Sequence, residues 1–195
     1  YLKAGRIFYP HWDESYAQRL VKLFGLDVKK RMNAFSKGMA SAVTIILALA
    51  SRAPVTMMDE PTAGLDVVAR EDFYRLLLED QTATGRTFVI STHILEEAAP
   101  VFERVMIMKK GRLIEDCDAD ALLAQFCGVS GRDDVVAAAC EGYEVLHTET
   151  LGRQVLCTVR APADAITARG LDVDCTALSL QKVFVALCGH EQEGQ

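Results

Sequence analysis

The sequence predicts an α/β fold for residues 1–127, followed by a small α+β domain over residues 128–195. Short β-rich runs alternate with longer helical segments in the first part, which is typical of a largely parallel sheet. A strand pair follows these segments, so the sheet should be mixed. The charge balance then shifts near Gly128. Residues 1–127 carry 16 basic and 17 acidic side chains (net −1), and residues 128–195 carry 5 and 10 (net −5).

Each element of the first part has a local signal. Ser36 stands at the N-cap position of an apolar run that ends at Ala50, and Gly85 stops a long helix that begins at Val67. Between these helices, Val55–Met58 has the composition of a strand. The other predicted elements are helix Ser15–Phe24, strand Thr87–Ser91, helix Ile94–Ala99, the hairpin of Val105–Met108 with Leu113–Glu115, and helix Ala119–Phe126.

After Gly128 the pattern restarts in the order αββαβα, which is compatible with a ferredoxin-like domain. Leu151 and Gly152 mark the turn of its predicted hairpin. The elements are helix Asp133–Cys140, strands Tyr143–Glu149 and Arg153–Arg160, helix Ala163–Arg169, strand Leu171–Thr176 and helix Leu178–Leu187.

Composition excludes several classes of protein. The net charge is −6, so bulk electrostatics gives no indication of nucleic-acid binding. The longest apolar run, Ala40–Ala50, is shorter than the about 20 residues that span a bilayer, which predicts a buried helix. The six cysteines form neither a C-x-x-C pair nor a zinc pattern, and we interpret them as reduced structural thiols.

The strongest chemical signal is a pair of carboxylates, Asp59 and Glu60, at the end of an apolar strand. Open α/β sheets place ligand groups at the carboxyl ends of their strands. An aspartate there can hold Mg²⁺ through oxygen, and a neighbouring glutamate can orient or deprotonate water. Two solvated acids are the simpler interpretation of the pair alone, so the assignment depends on the whole string from Val55 to Asp66.

Two further segments carry chemistry. Ser36, Lys37 and Gly38 begin the apolar helix, where a hydroxyl, a glycine amide and a helix N-terminus together suit an anion. A plain Ser-capped helix explains the same residues equally well. His93 follows the strand predicted to end at Ser91 and comes 33 residues after Glu60. A lone histidine after a strand is more often structural than functional.

Together these segments resemble the ATP-binding cassette (ABC) ATPase family. The string from Val55 to Asp66 is similar to a Walker B motif with its D-loop, Phe35–Met39 to the signature motif, and Ser91–His93 to the switch histidine. Phe35, Lys37 and Met39 depart from the common Leu-Ser-Gly-Gly-Gln form. The resemblance implies that Asp59 lies near Mg²⁺, that Glu60 and His93 are catalytic, and that nucleotide contacts come from Ser36, Lys37, Gly38 and Asp66.

The resemblance also implies a fold and partners. Residues 1–127 would form part of a P-loop ABC ATPase cassette, most similar to drug- and antibiotic-exporter ATPase subunits, and residues 128–195 an accessory domain. The protein would hydrolyse ATP with Mg²⁺ as a homo- or heterodimer. Its partner would be a transmembrane permease, with no nucleic acid. The protein itself would be cytoplasmic and peripheral on the cytoplasmic face of the membrane.

One expected motif is missing from the sequence. No G-x-x-x-x-G-K-[S/T] phosphate loop occurs in the 195 residues, and no glutamine fits the Q-loop. Since the chain begins at Tyr1, we expect a preceding segment to carry both, and we expect this chain alone to be inactive. Two other classes stay open: a soluble ABC ATPase of chromosome maintenance or translation, and a non-enzymatic regulatory module.

Overall fold

The computed structural model describes residues 2–189, without the side chains of Met32 and Leu151. The chain divides into two compact units, Tyr1–Val101 and Phe102–Gln195. Residues 190–195 of the predicted accessory domain lie outside the described residues.

The first unit is built mainly of helices around one pair of strands. Helix α1 was not predicted, because Gly5 in its centre weakens a helix. That glycine is required by packing, since a Cβ at Gly5 would lie 2.6 Å from the Trp12 ring. The elements are α1 Leu2–Phe8, α2 Glu14–Leu23, α3 Lys37–Ala50, β1 Val55–Asp59, α4 Val67–Thr84, β2 Thr87–Ser91 and α5 Leu95–Ala98, with 3₁₀ turns at Met32–Ala34 and Ala99–Val101.

Strands β1 and β2 pair in parallel, as the alternation of strands and helices predicts. Val55 is opposite Thr87 at the start of the ladder, and Asp59 is opposite Ser91 at its end. Thr56 and Met58 are buried on one face of β1. The pairing therefore brings the carboxyl ends of both strands to the same edge.

Two helix ends follow the predicted signals, Ser36 and Gly85, and a third has a cap that the sequence analysis did not name. The Ser36 hydroxyl caps α3 by accepting a hydrogen bond from the Met39 amide at 3.2 Å. The Asp66 carboxylate caps α4 by accepting one from the Ala69 amide at 2.8 Å. Gly85 ends α4 with a left-handed φ of 66°, a conformation that suits glycine. The predicted bounds of this helix are confirmed.

Helix α3 lies at the centre of the first unit's core. Its residues Ile45, Ile46 and Leu49 have no exposed surface, and neither do Leu20 of α2 and Phe73 of α4. The predicted buried helix is confirmed. Within residues 2–189, no helix combines the length and the apolar character needed to cross a bilayer.

The second unit contains two separate antiparallel ladders. One pairs β3 with β4, and the other has four strands in the order β6-β7-β5-β8. Parallel and antiparallel pairings thus both occur, as predicted, but in different ladders of the described chain. The elements are β3 Arg104–Lys109, β4 Arg112–Asp118, α6 Ala119–Leu123, β5 Cys127–Arg132, α7 Asp133–Cys140, β6 Glu144–Leu151, β7 Gln154–Arg160, α8 Ala163–Thr167, β8 Asp174–Thr176 and α9 Leu180–Cys188.

The predicted domain boundary at Gly128 differs from the division into compact units after Val101. The hairpin β3–β4 and helix α6 belong to the second unit because they pack with its other elements, and the Lys109 ammonium, for example, donates to the Leu187 carbonyl at 2.9 Å. Gly128 itself lies inside strand β5. The assignment of residues 1–127 to the cassette stays a prediction about relationship and function.

Strand β5 completes the ferredoxin-like pattern that the sequence predicted only in part. The order from β5 to β8 is βαββαβ, and the strand order and antiparallel pairings are those of a ferredoxin-like sheet. β5 escaped prediction because Gly128 and Gly131 make its sequence a poor strand. Gly128 is needed there, since a Cβ would lie 2.8 Å from the Thr176 hydroxyl oxygen.

The cysteines are free thiols, and three of them are buried in the core of this sheet. These are Cys127, Cys140 and Cys157. Burial raises the pKa of the Cys127 thiol to about 11, which keeps it protonated and unreactive at neutral pH. The geometry fits the interpretation of structural thiols.

Asp13 generates a prediction about acid stability. Its carboxylate caps α2 through the Tyr16 amide at 2.9 Å and pairs with Arg52 at 2.8 Å. These contacts, the Tyr16 amide first, lower the pKa of Asp13 from 3.8 to about 2. A lowered folded-state pKa adds stability that is present above about pH 4 and is lost as the pH falls towards 2.

We therefore expect Asp13→Asn, which keeps a capping oxygen but loses the charge, to lower the free energy of unfolding at pH 7 by on the order of 1 kcal/mol. The difference from wild type should shrink as the pH falls from about 4 through the folded-state pKa of about 2. Urea unfolding across this pH range measures it. Asp172→Asn, at an exposed aspartate, is the control and should show no such dependence. A deficit that persists in acid would contradict the assignment.

Candidate functional site

The first group of site residues lies at the carboxyl ends of β1 and β2. The Ser91 hydroxyl donates a hydrogen bond to the Asp59 carboxylate. The Glu60 carboxylate accepts one from the His93 amide at 3.0 Å and lies 2.7 Å from His93 Nδ1. The His93 side chain is 76% exposed and that of Glu60 34%. Two carboxylates and an imidazole thus meet at an open edge.

Glu60 adopts a left-handed backbone conformation that the sequence did not predict. Its φ is +44°, in the left-handed region that non-glycine residues seldom occupy and that is often found at functional sites. The Glu60 amide donates to the Ser91 carbonyl at 2.9 Å, and the Glu60 carbonyl accepts from the Ala63 amide at 3.1 Å. This turn directs the chain away from β1, with the Glu60 carboxylate held by His93 on the β2 side.

The second group is organised by close packing between the start of α3 and the turn after Glu60. A Cβ on Gly38 would collide with the Gly64 carbonyl oxygen. Gly64 has a φ of +81°, and a Cβ there would lie 2.9 Å from Lys37 Cγ. The Ser41 hydroxyl donates to the Ala63 carbonyl at 2.6 Å. The signature-like segment therefore touches the D-loop-like turn of its own chain.

Ser36, Gly38 and Asp66 line one open groove of about 340 Å³, together with Gly64. In the structure, Ser36 and Asp66 each cap a helix. An oxygen acceptor with one such bond keeps further lone pairs for a ligand. The groove provides the hydroxyl, the glycine and the helix start of an anion site, and the nucleotide contacts of these residues stay a prediction.

The structure brings all seven predicted site residues into these two groups, and residues 60–64 connect the groups along the chain. Sequence reasoning missed Ser91 and Ser41. Ser41 lies three residues after Gly38 on the same side of α3, a spacing that could have indicated it. Ser91 can be recognised as a site residue only from the strand register, which places it opposite Asp59.

The donors at Asp59 suit magnesium. A carboxylate and a hydroxyl are hard oxygen ligands, and Mg²⁺ is commonly held by one or two carboxylates, with phosphate and water completing its shell. Residues 2–189 contain no cluster of three or more His, Cys, Asp or Glu side chains placed for a metal. The arrangement therefore fits a magnesium ion that arrives with a phosphate ligand better than one enclosed by protein.

The mixed α/β fold matches that of ATP-binding cassette structures, and comparisons with known proteins find relatives of the same class. Residues 13–99 match the family model described as "AAA domain, putative AbiEii toxin, Type IV TA system". Nod factor export ATP-binding protein I of Burkholderia orbicola (strain AU 1054) is 31% identical over 173 residues, covering 84% of this chain and 56% of that protein.

A second relative and a solved structure agree. The ABC transporter ATP-binding protein YtrB of Bacillus subtilis (strain 168) is 26% identical over 121 residues, covering 62% of this chain and 41% of that protein. A solved ATP-binding subunit of an ABC transporter is 26% identical, with a TM-score of 0.55 over 62% of this chain and 52% of that one. The chain is a homologue of the ABC transporter ATP-binding proteins and spans about half the length of the curated relatives it matches.

The contact between Gly38 and Gly64 generates a prediction. Gly38→Ala should force the start of α3 away from the Gly64 carbonyl and lower the free energy of unfolding by about 1–3 kcal/mol, as overpacking does. Alanine is otherwise the better helix former, so a loss isolates the steric effect. Thr44→Ala, at an exposed position of the same helix, is the matched control and should be neutral. Thermal unfolding measures both, and a stabilised Gly38→Ala would disprove the close contact.

Proposed function

We propose that this chain supplies part of the ATP-hydrolysing subunit of an ABC transporter, which works with a partner membrane permease. One observation carries the proposal. Asp59 and Glu60 end β1 beside Ser91 and His93 of the parallel neighbour β2. Relatives of the ABC transporter ATP-binding class support the same activity.

The proposed roles follow from this geometry. Glu60, held by His93 at 2.7 Å, would orient a water molecule for in-line attack on the γ-phosphate and take up its proton. Asp59, with Ser91 as its hydrogen-bond partner, would hold Mg²⁺, which neutralises phosphate charge when it is bound. His93 would contact the γ-phosphate through its exposed imidazole.

The signature-like residues suggest a dimer. Ser36, Lys37 and Gly38 present a hydroxyl, a cation and a glycine at the start of α3. Ser36 and Gly38 line one groove together with Asp66. In our proposal this groove contacts the nucleotide held by a second ATPase subunit, identical or related. The ATP would then lie between two chains, so hydrolysis would depend on their association.

The family also suggests where the protein acts. We propose a location at the cytoplasmic face of the membrane, in contact with the permease, and no nucleic-acid partner. The acidic net charge of −6 gives no bulk electrostatic attraction for a phosphate backbone.

We expect this 195-residue chain by itself to neither bind Mg-ATP tightly nor hydrolyse it. The phosphate loop that holds the β- and γ-phosphates is not in its sequence. Isothermal titration with Mg-ATP measures the affinity, and phosphate release measures turnover. Micromolar affinity or measurable turnover would show that other residues of the chain bind the phosphates.

Glu60→Gln in the complete gene product tests the catalytic assignment. Glutamine keeps the size and hydrogen-bonding reach of Glu60 but loses its charge and basicity, so turnover should fall by about 10²-fold or more while ATP affinity stays nearly unchanged. The variant should also accumulate as an ATP-bound dimer. Steady-state hydrolysis, nucleotide binding and light scattering measure the three effects.

Glu71→Gln is the matched control, because Glu71 is an exposed glutamate of α4 outside both groups. It should hydrolyse ATP at the wild-type rate. If Glu60→Gln also turns over at that rate, Glu60 is a solvated acid at a strand end and the catalytic assignment is wrong. A wild-type gene product without any ATPase activity would instead favour a non-enzymatic module.

A further inference from the structure

Four charged side chains form a continuous set of ion pairs at the end of α3 that lies opposite the signature-like residues. Arg52 contacts Asp13 at 2.8 Å and Asp80 at 2.6 Å. Arg86 pairs with the other oxygen of Asp80. We call Asp13, Arg52, Asp80 and Arg86 the α3 clamp. It joins the cap of α2, the residue after the C-cap of α3, the last turns of α4 and the residue before β2.

The centre of the clamp is buried. Asp80 is 4% exposed and Arg86 7%, and charges at such depth persist only when they are paired. Arg86 Nη2 also donates to the Leu49 carbonyl in the last turn of α3 at 3.0 Å. A cation at that position adds a side-chain hydrogen bond to the last turn and complements the helix dipole. The clamp therefore binds the backbone of α3 as well as its neighbours.

Arg52 occupies its place at a conformational cost. Its φ is +54°, in the left-handed region that glycine and asparagine adopt readily and that is unfavourable for arginine. Its guanidinium lies 4.2 Å from the centre of the Tyr16 ring while it bridges the two carboxylates. The backbone conformation therefore does not explain why an arginine occupies this position. The ion pairs of Arg52 with Asp13 and Asp80 explain it.

Three elements connect the clamp to the candidate site. Helix α3 runs from the Ser36 cap to the clamp, α4 from the Asp66 cap to Asp80, and β2 leads from Arg86 to Ser91. Each element therefore carries a site residue at one end and touches the clamp at the other. With 14 residues, α3 is about 21 Å long. A rotation of about 3° at the clamp would move its start by about 1 Å.

We propose that Arg52 is a positioning residue. By bridging Asp13 and Asp80, it fixes the direction of α3 relative to α4, and so keeps Gly38 seated against Gly64 at the far end. Its consequence for hydrolysis rests on the proposed function, because a displacement of about 1 Å in a catalytic arrangement can cost about 10²-fold in rate.

Two variants of the 195-residue chain test the positioning directly. Arg52→Gly removes the bridge and relieves the left-handed backbone, so the fold should survive. Arg52→Lys keeps the charge but lacks the planar fork that spans two carboxylates. We expect both to speed amide hydrogen exchange at Met39, Ala40 and Leu65 by about tenfold or more through local opening, with the unfolding midpoint of Arg52→Gly not lowered.

Arg75→Ala is the matched control. Arg75 also pairs with two carboxylates, but Asp72 and Glu79 lie on its own helix, so exchange at the start of α3 should stay as in wild type. If exchange in both Arg52 variants rises only near residues 50–53 and 80–86, the role of Arg52 is local and the inference is wrong. Should Arg52→Gly fail to fold, exchange in Arg52→Lys decides the question alone.

The complete gene product gives a second readout. Arg52→Gly should lower kcat for ATP hydrolysis by about tenfold while KM for ATP changes less than about twofold, since the change affects the transition-state arrangement more than nucleotide binding. Unchanged kcat together with unchanged exchange would overturn the inference. A wild-type protein without ATPase activity would count against the proposed function only, because the exchange experiment does not depend on it.

Discussion

The parallel pairing of β1 with β2 is the constraint on which the candidate site depends. It places Asp59 opposite Ser91, residues that are 32 positions apart in the chain, and it anchors the Glu60 amide on the Ser91 carbonyl. A slip of one residue would exchange the two faces of the strand. The buried Met58 would then leave the core, and the carboxylates would lose their partners, so burial of the sheet face fixes the geometry of the polar edge.

A second constraint acts on α3, which is held at both ends by contacts of different kinds. At its start, Gly38 meets the Gly64 carbonyl without room for a side chain. At its end, the α3 clamp joins it through ion pairs and the Leu49 carbonyl. The buried apolar middle of the helix supplies most of the stabilisation, because burial of such side chains outweighs single polar contacts. The polar ends then determine its direction.

Two non-glycine residues with left-handed backbones, Glu60 and Arg52, lie at junctions that these constraints create. Each conformation costs about 1–3 kcal/mol and is offset by contacts of its side chain, with His93 in one case and with two carboxylates in the other. The second unit has its own core of a ferredoxin-like sheet and contains none of the seven predicted site residues. The predicted chemistry is therefore concentrated in the first unit, whereas the second unit has a left-handed residue of its own, Lys110, in the turn between β3 and β4.

The sequence by itself determined what local signals control. The bounds of α4 follow from the Asp66 cap and from Gly85. The position of the two carboxylates at the end of β1 follows from the end of the apolar run that forms this strand. Tertiary structure decided what depends on distant contacts. Strand β5 exists because its neighbours supply hydrogen bonds and need a glycine at position 128. The partnership of Asp59 with Ser91 and the bridge made by Arg52 join residues whose spacing carries no signal, since only the packed chain brings them together.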